Sequence, residues 1–178
     1  AVITGETFSP DFPAQTYQGG RDLMLARLDA TGSLIQAIQV GGAGDERGNS
    51  IALDSAGNAA VAGWSNSPDL PVTTGAYAGN GDALLLLVNP QGNVSQLAYF
   101  GGTGFDEGRG IAFSESGSQW MTGFTTSSDF PVTSQAFQAS PGGSGDAFVA
   151  QLDASASASA QLLYSSYLGG SNEDSAQS

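Results

Sequence analysis

The chain has 178 residues and a formal net charge of −13, because 17 acidic residues stand against four arginines, and it contains no lysine, histidine or cysteine. Four scattered arginines cannot form the basic footprint that nucleic acid or an anionic membrane surface needs, and no apolar run approaches the ~20 residues of a membrane-spanning helix. The missing residue types exclude serine–histidine and thiol catalysis, thiolate metal sites and disulfides.

The sequence predicts strands in three successive sets, because short apolar or alternating runs are bounded by glycine-containing turns. The predicted strands lie at 2–6, 22–29 and 33–40, then at 50–54, 59–64, 82–89 and 94–100, then at 110–114, 119–124, 146–153 and 161–168. The strands that begin at Asp22, Asp82 and Asp146 are apolar on both faces, so each must lie between two layers. Within each set, an Asp-x-Pro segment predicts a loop, since proline disfavours a central strand.

The three sets are copies of one unit. Gly41-Gly42, Gly101-Gly102 and Gly169-Gly170 recur at separations of 60 and 68 residues, which gives a period near 60. Four antiparallel strands per unit, apolar on both faces, predict an all-β fold made of β-propeller blades. We expect an incomplete blade lacking its inner strand at 1–44, complete blades at 45–105 and 106–170, and the start of a next blade at 171–178. Three blades cannot close a ring, which favours a fragment of a larger or assembled propeller.

Four segments of the third unit carry a family resemblance: 101–112 (GGTGFDEGRGIA), 121–131 (MTGFTTSSDFP), 145–152 (GDAFVAQL) and 163–170 (LYSSYLGG). They resemble the SBBP repeat, a bacterial repeat family named for seven-bladed β-propellers, and about three such repeats cover the chain. The resemblance implies the propeller fold and secreted or surface-attached proteins of modular architecture. It implies no single activity.

Acidic residues are predicted to gather on one rim of the blades. Because successive strands alternate in direction, the Asp-x-Pro loops and the loops that follow the glycine pairs share that rim. Clustered carboxylates there suggest calcium, which takes six to eight oxygen ligands. The candidate ligands are Asp45, Glu46, Asp106, Glu107, Glu173 and Asp174. The alternative, which we favour, is that these carboxylates cap backbone amides in glycine-rich turns.

Other recurring residues have a structural and a functional interpretation. Asp22, Asp82 and Asp146 open a strand after a glycine-containing turn, where a carboxylate accepts loop N–H bonds. Large side chains that recur in register are expected to fill the gap between blades: Phe12, Leu70 and Phe130, and Tyr17, Tyr77 and Phe137. For Trp64 and Trp120, packing between blades is favoured over a carbohydrate-stacking platform, because the two tryptophans occupy different positions in the repeat.

The functional hypothesis is a non-catalytic, secreted or cell-surface module that serves as a structural or binding scaffold for protein or glycan. An acidic, lysine-free, glycine-rich chain favours an exported bacterial protein. The alternatives are a carbohydrate-active propeller, which would need two carboxylates ~5 to 9.5 Å apart, and a self-assembling filament or adhesin subunit. The expected partners are further blades or copies of the same chain. No catalytic residue is identified, because a group that recurs in every blade serves the blade.

Overall fold

The structure is a computed structural model that describes residues 1–13, 17–153 and 161–177. Every regular element in these ranges is a β-strand, which confirms the predicted all-β class. The strands are β1 (Val2–Thr7), β2 (Asp22–Leu28), β3 (Leu34–Val40), β4 (Glu46–Leu53), β5 (Ala59–Ser65), β6 (Asp82–Val88), β7 (Val94–Phe100), β8 (Asp106–Phe113), β9 (Gln119–Thr125), β10 (Asp146–Asp153) and β11 (Gln161–Leu168). No helix in the described ranges is long and apolar enough to cross a membrane.

The strands form three antiparallel sheets in which sequence neighbours pair. The first sheet has the order β1-β2-β3, the second β4-β5-β6-β7 and the third β8-β9-β10-β11. This up-and-down arrangement is that of propeller blades, as predicted. The loops that leave β3, β7 and β11 after the glycine pairs lie at one rim, together with the loops that follow β1, β5 and β9. We call this edge the loop rim.

The innermost strands β4 and β8 are longer than predicted, since each begins four residues before the expected start. Pairing shifts register between Gly48 and Ser50 in β4 and between Gly108 and Gly110 in β8, so each strand contains a bulge. A bulge inserts one unpaired residue and breaks the alternation of side chains. The strand pattern therefore becomes recognisable in the sequence only after the bulge.

The apolar core lies between the sheets. One buried cluster joins Leu23 and Leu25 of the first sheet to Val61, Leu84 and other residues of the second. Another cluster joins the opposite face of the second sheet to the third. All seven residues of β6 are buried, which agrees with the prediction that this strand lies between two layers. Face-to-face burial of whole sheets therefore supplies the main stabilisation between units.

Two glycines allow the innermost strand of a blade to approach its neighbour closely. A Cβ atom added to Gly63 would lie 2.0 Å from the carbonyl oxygen of Arg47, and one added to Gly123 would lie 1.9 Å from that of Glu107. Both glycines sit opposite the bulges of β4 and β8. The glycine that recurs in the second strand of each unit is thus required by backbone contact at these two positions.

Candidate functional site

Four successive backbone N–H groups of the loop between β3 and β4 donate to side chains at the loop rim. The donor and acceptor pairs are Gly42 to Glu46 at 2.7 Å, Ala43 to Asp69 at 2.9 Å, Gly44 to Ser67 at 2.8 Å and Asp45 to Asn66 at 2.6 Å. Side chains therefore satisfy donors that would otherwise need water or another backbone group. We call residues 41–45 a GG loop and residues 65–69, which begin with the last residue of β5, a capping segment.

The next GG loop, residues 101–105, repeats this arrangement with the capping segment 125–129. The pairs are Gly102 to Asp106 at 2.8 Å, Thr103 to Asp129 at 2.9 Å, Gly104 to Ser127 at 2.8 Å and Phe105 to Thr126 at 2.8 Å. Asp69 and Asp129, which recur in the Asp-x-Pro segments, thus accept from equivalent loop residues, Ala43 and Thr103. The capping interaction is a property of the repeat.

Two of the capping carboxylates are fully buried. Glu46 accepts hydrogen bonds from Ser65 and Ser67, and Asp106 accepts one from Ser127 at 2.7 Å. Burial raises the pKa of Glu46 and of Asp106, and the hydrogen bonds from the hydroxyl groups oppose that rise. These side chains are enclosed by their own loops, which suits a structural role better than contact with a soluble ligand.

The six calcium candidates do not form three copies of one site. Glu46, Asp106 and Asp174 occupy equivalent positions, and Asp174 accepts the Gly170 N–H at 2.7 Å as the other two accept theirs. Asp45 and Glu173 precede this position, whereas Glu107 follows it. Among the described residues, no three acidic side chains are grouped so that they could hold a metal ion. Calcium binding stays a prediction, and five of its six candidate ligands already have protein partners.

Glu107 has arginine partners instead of loop amides. It accepts a hydrogen bond from Arg47 of β4 at 2.6 Å and one from Arg109 of its own strand at 2.7 Å. Asn49 of β4 also donates to it, at 3.1 Å. This polar group therefore ties the innermost strands of neighbouring blades together, and its charge is compensated.

Asp45 is likewise occupied by an arginine. The guanidinium group of Arg21 lies 3.2 Å from the carboxylate of Asp45 and 3.2 Å from that of Glu6 in β1. The hydrogen bond from Arg21 lowers the pKa of Asp45. Of the six candidates, only Glu173 is exposed and makes no hydrogen bond or ion pair with the described residues.

The aspartates that open the third strand of each unit hold the preceding loop, as predicted. Asp22 accepts the N–H of Gln18 at 3.0 Å, Asp82 that of Ala78 at 2.9 Å and Asp146 that of Gly142 at 3.2 Å. All three aspartates are fully buried. Burial raises the pKa of Asp82 to about 6. The Asp82 carboxyl group is therefore partly protonated near pH 6.

Three of the six recurring large side chains pack between sheets as predicted. Leu70 and Phe130 lie in the two clusters between sheets, and Tyr77 packs edge-on against Tyr99 with ring centroids 5.6 Å apart. The prediction for Phe137 is wrong, since this side chain is 80% exposed. Phe137 belongs to a loop four residues longer than its counterpart in the second unit, so its register with Tyr77 does not place it between blades.

The two tryptophans pack against neighbouring side chains at different places. Trp64 lies under the guanidinium group of Arg47, at 5.6 Å, and against Phe105, at 5.8 Å. Trp120 contacts Tyr164, with ring centroids 6.2 Å apart. The two indoles do not form a shared platform. Sequence reasoning missed the capping serines Ser67 and Ser127, although a polar residue after the second strand recurs in every unit and was a usable signal.

A comparison with protein-family models supports the repeat. Residues 37–71 match the model of the SBBP beta-propeller repeat. The matched segment runs from the end of β3 through the first GG loop and β5 to the capping segment. The predicted resemblance is confirmed over this range. No curated protein matches the chain.

Proposed function

We propose that this chain, a β-propeller module with an SBBP repeat, is a non-catalytic scaffold of a secreted or cell-surface protein and presents its acidic loop rim to a protein or glycan partner. The observation that carries the proposal is the use of the recurring rim carboxylates. In both complete blades they cap loop amides or compensate arginines, so they serve the blade itself. Repeated contacts of this kind, in which the polar groups have partners within the chain, are what a structural scaffold requires.

The charge of the rim supports a binding role. Asp69 and Asp129 are exposed although each accepts a loop N–H, so they present negative charge in a fixed geometry. Pre-ordered polar groups lose little conformational entropy when a partner binds. The chain carries a formal charge of −13 without any lysine, which favours partners with exposed basic or hydrogen-bond-donating groups.

The alternative of a carbohydrate-active enzyme requires different chemistry. A glycosidase needs two free carboxyl groups on either side of the scissile bond, ~5 to 9.5 Å apart. In the second and third sheets, the recurring rim carboxylates from Asp45 to Asp129 that were considered as ligands are engaged by amides, hydroxyl groups or arginines. We therefore assign the rim to binding and not to hydrolysis.

Removing two exposed charges from the loop rim tests the binding role. The variant Asp69→Asn/Asp129→Asn keeps an acceptor oxygen for each loop N–H but removes two exposed charges from the loop rim. The matched control Asp54→Asn/Glu115→Gln removes two charges from the hairpin turns at the opposite rim. Binding to a glycan array and to a panel of basic proteins should weaken in the first variant and stay unchanged in the second. Equal binding by both variants, or release of reducing sugar from a polysaccharide panel, would contradict the proposal.

A further inference from the structure

An apolar groove of about 390 Å³ opens at the outer edge of the interface between the first and second sheets. Its walls include Val40 and Gly41 at the end of β3, and Pro71, Val94 and Leu97 of the second unit. Val40 and Leu97 also belong to the buried cluster between these two sheets. The groove is therefore a gap at the border of a formed core, between sheets that pack on each other within the chain.

The equivalent part of the next interface is filled by aromatic rings. Phe100 precedes the second glycine pair as Val40 precedes the first, and its ring centroid lies 4.9 Å from that of Phe130 and 5.9 Å from that of Phe148. The rings of Phe130 and Phe148 lie 4.6 Å apart. All three side chains are buried. Mutually packed rings therefore occupy the second interface beside its glycine pair.

The first interface has aliphatic side chains at all three places, namely Val40, Leu70 and Leu84. Each is smaller than a phenylalanine. Ile38 and Leu97 are larger than their equivalents Ala98 and Ser165, but they restore packing nearer the middle of the strands. The space beside Val40 is therefore left open, and Phe100 shows which chemical group such a space holds in the same repeat.

Val94 leaves apolar surface open in this groove. It lies opposite Val88 as Leu162 lies opposite Leu152 in the third sheet. Leu162 packs against the cluster between the second and third sheets, whereas the Val94 side chain is 42% exposed. A ring that enters the groove and covers Val94 removes this surface from water, which stabilises the bound state.

An exposed carboxylate stands at the loop-rim end of the groove. Asp69 is two residues from Pro71, and its Oδ1 accepts the Ala43 N–H at 2.9 Å. A Cβ atom added to Gly42, which adjoins Gly41 of the groove wall, would lie 2.6 Å from the same oxygen. The Asp69 carboxylate is therefore held beside the groove and favours a ligand that carries a positive charge next to its ring.

We propose that this groove binds an aromatic side chain of a protein partner, with a basic residue of the same partner segment lying against Asp69. The groove is larger than the ~150 Å³ cavity that holds a benzene molecule, which leaves room for the peptide that carries the ring. The inference rests on the proposed function for its binding role and names the chemistry of the protein partner.

Two short peptides test this site. Acetyl-Arg-Phe-Arg-amide should shift the methyl NMR signals of Val40, Val94 and Leu97. Acetyl-Arg-Ala-Arg-amide should bind about tenfold more weakly, because it buries no ring. Asp69→Asn should weaken the phenylalanine peptide about twofold to fivefold, as expected for an exposed ion pair. Equal binding of the two peptides, or unshifted methyl signals at millimolar peptide, would overturn the inference. Parent-like binding by Asp69→Asn would overturn the place of the basic residue.

Filling the groove is the complementary test. Val40→Phe supplies the ring that the next interface has at this place, so the phenylalanine peptide should no longer shift the Val94 and Leu97 signals. The matched control Leu34→Phe adds the same ring at an exposed position of β3 and should bind like the parent. If Val40→Phe does not fold, Val94→Gln replaces it, and should weaken binding about threefold or more.

Parent-like binding by the folded groove variant would overturn the inference. The proposed function is tested separately, because the groove variants leave Asp69 and Asp129 unchanged. If the peptides fail to bind while Asp69→Asn/Asp129→Asn still weakens binding to glycans or basic proteins, the groove assignment is wrong and the binding role of the rim stands.

Discussion

The hydroxyl group of Ser127 donates a 2.7 Å hydrogen bond to Oδ2 of Asp106, and both side chains are buried. The same hydroxyl oxygen accepts the N–H of Gly104 at 2.8 Å. Ser127 therefore connects the capping segment to the GG loop and to the start of β8 at once. This small network, repeated around Ser67, is the joint that orders each blade at the loop rim.

Replacing Ser127 should destabilise the chain well beyond the loss of one contact. Ser127→Ala leaves the half-buried Gly104 N–H without its acceptor and removes one of the hydrogen bonds to the buried Oδ2 of Asp106, which keeps that from Gly102. We therefore expect a loss of about 1 to 3 kcal/mol in the free energy of unfolding. Urea denaturation measures this change. Ser128→Ala, one residue away and exposed, is the control and should stay within about 0.5 kcal/mol of the parent. Equal stability of the two variants would contradict the claim that the Ser127 hydrogen bonds stabilise the loop rim.

Gly123 tests the close contact between β8 and β9. In Gly123→Ala the new Cβ atom would lie 1.9 Å from the carbonyl oxygen of Glu107, and backbone cannot move aside without breaking strand pairing. We expect a loss of about 3 kcal/mol or more. Gly170→Ala is the matched control, since its Cβ atom would meet nothing closer than 3.8 Å. Thermal unfolding of both variants checks this, and a parent-like melting temperature for Gly123→Ala would refute it.

Much of the fold follows from patterns that the sequence displays. The glycine pairs fix the period, and the apolar run 83–88 requires sheets on both sides, as found. The starts of β4 and β8 were hidden, because bulges after Gly48 and Gly108 break the alternation. At the rim, the sequence indicates that carboxylates cap amides but not which amide each one reaches. The partners of Asp69 lie 26 residues away at Ala43, and such pairing depends on how strands align across a blade.

Glu107 should matter more than an ordinary surface acid. Its carboxylate compensates Arg47 and Arg109 in a largely buried position, so Glu107→Gln leaves two guanidinium groups without a counter-charge. The arginines are partly exposed, and we therefore expect a moderate loss of about 1 to 2 kcal/mol. Glu115→Gln, in an exposed turn, is the control. Urea denaturation that fails to separate the two variants would show that the Glu107 contacts contribute nothing.

Buried Asp82 should make the chain more stable in mild acid. Burial raises its folded-state pKa from 3.8 to about 6, so between these values the folded state binds more protons than the unfolded state. Stability should therefore rise as the pH falls from 7 to about 4. Near pH 7, Asp82→Asn should be more stable than the parent by about 2 to 3 kcal/mol, and this difference should vanish near pH 4. Urea denaturation at both pH values measures it, and a less stable Asp82→Asn at pH 7 would contradict the account.

Calcium should have little effect on stability if the rim carboxylates serve the loops. Asp45, Glu46, Asp106, Glu107 and Asp174 already have hydrogen-bonding partners in the protein. We expect the melting temperature to stay constant when EDTA and then excess calcium are added. Magnesium at the same ionic strength is the control for general screening. A rise that calcium alone produces would establish a calcium site at this rim and overturn the assignment of these carboxylates to capping.

The capping of the GG loops can be observed directly by amide hydrogen exchange in the 178-residue chain. The N–H groups of Ala43, Gly44, Thr103 and Gly104 should be strongly protected. Those of Ser171 and Asn172, in the third loop that follows a glycine pair, have no acceptor among the described residues and should exchange rapidly. Equal exchange in all three loops would contradict the central claim that repeated side chains of the rim hold the blades together.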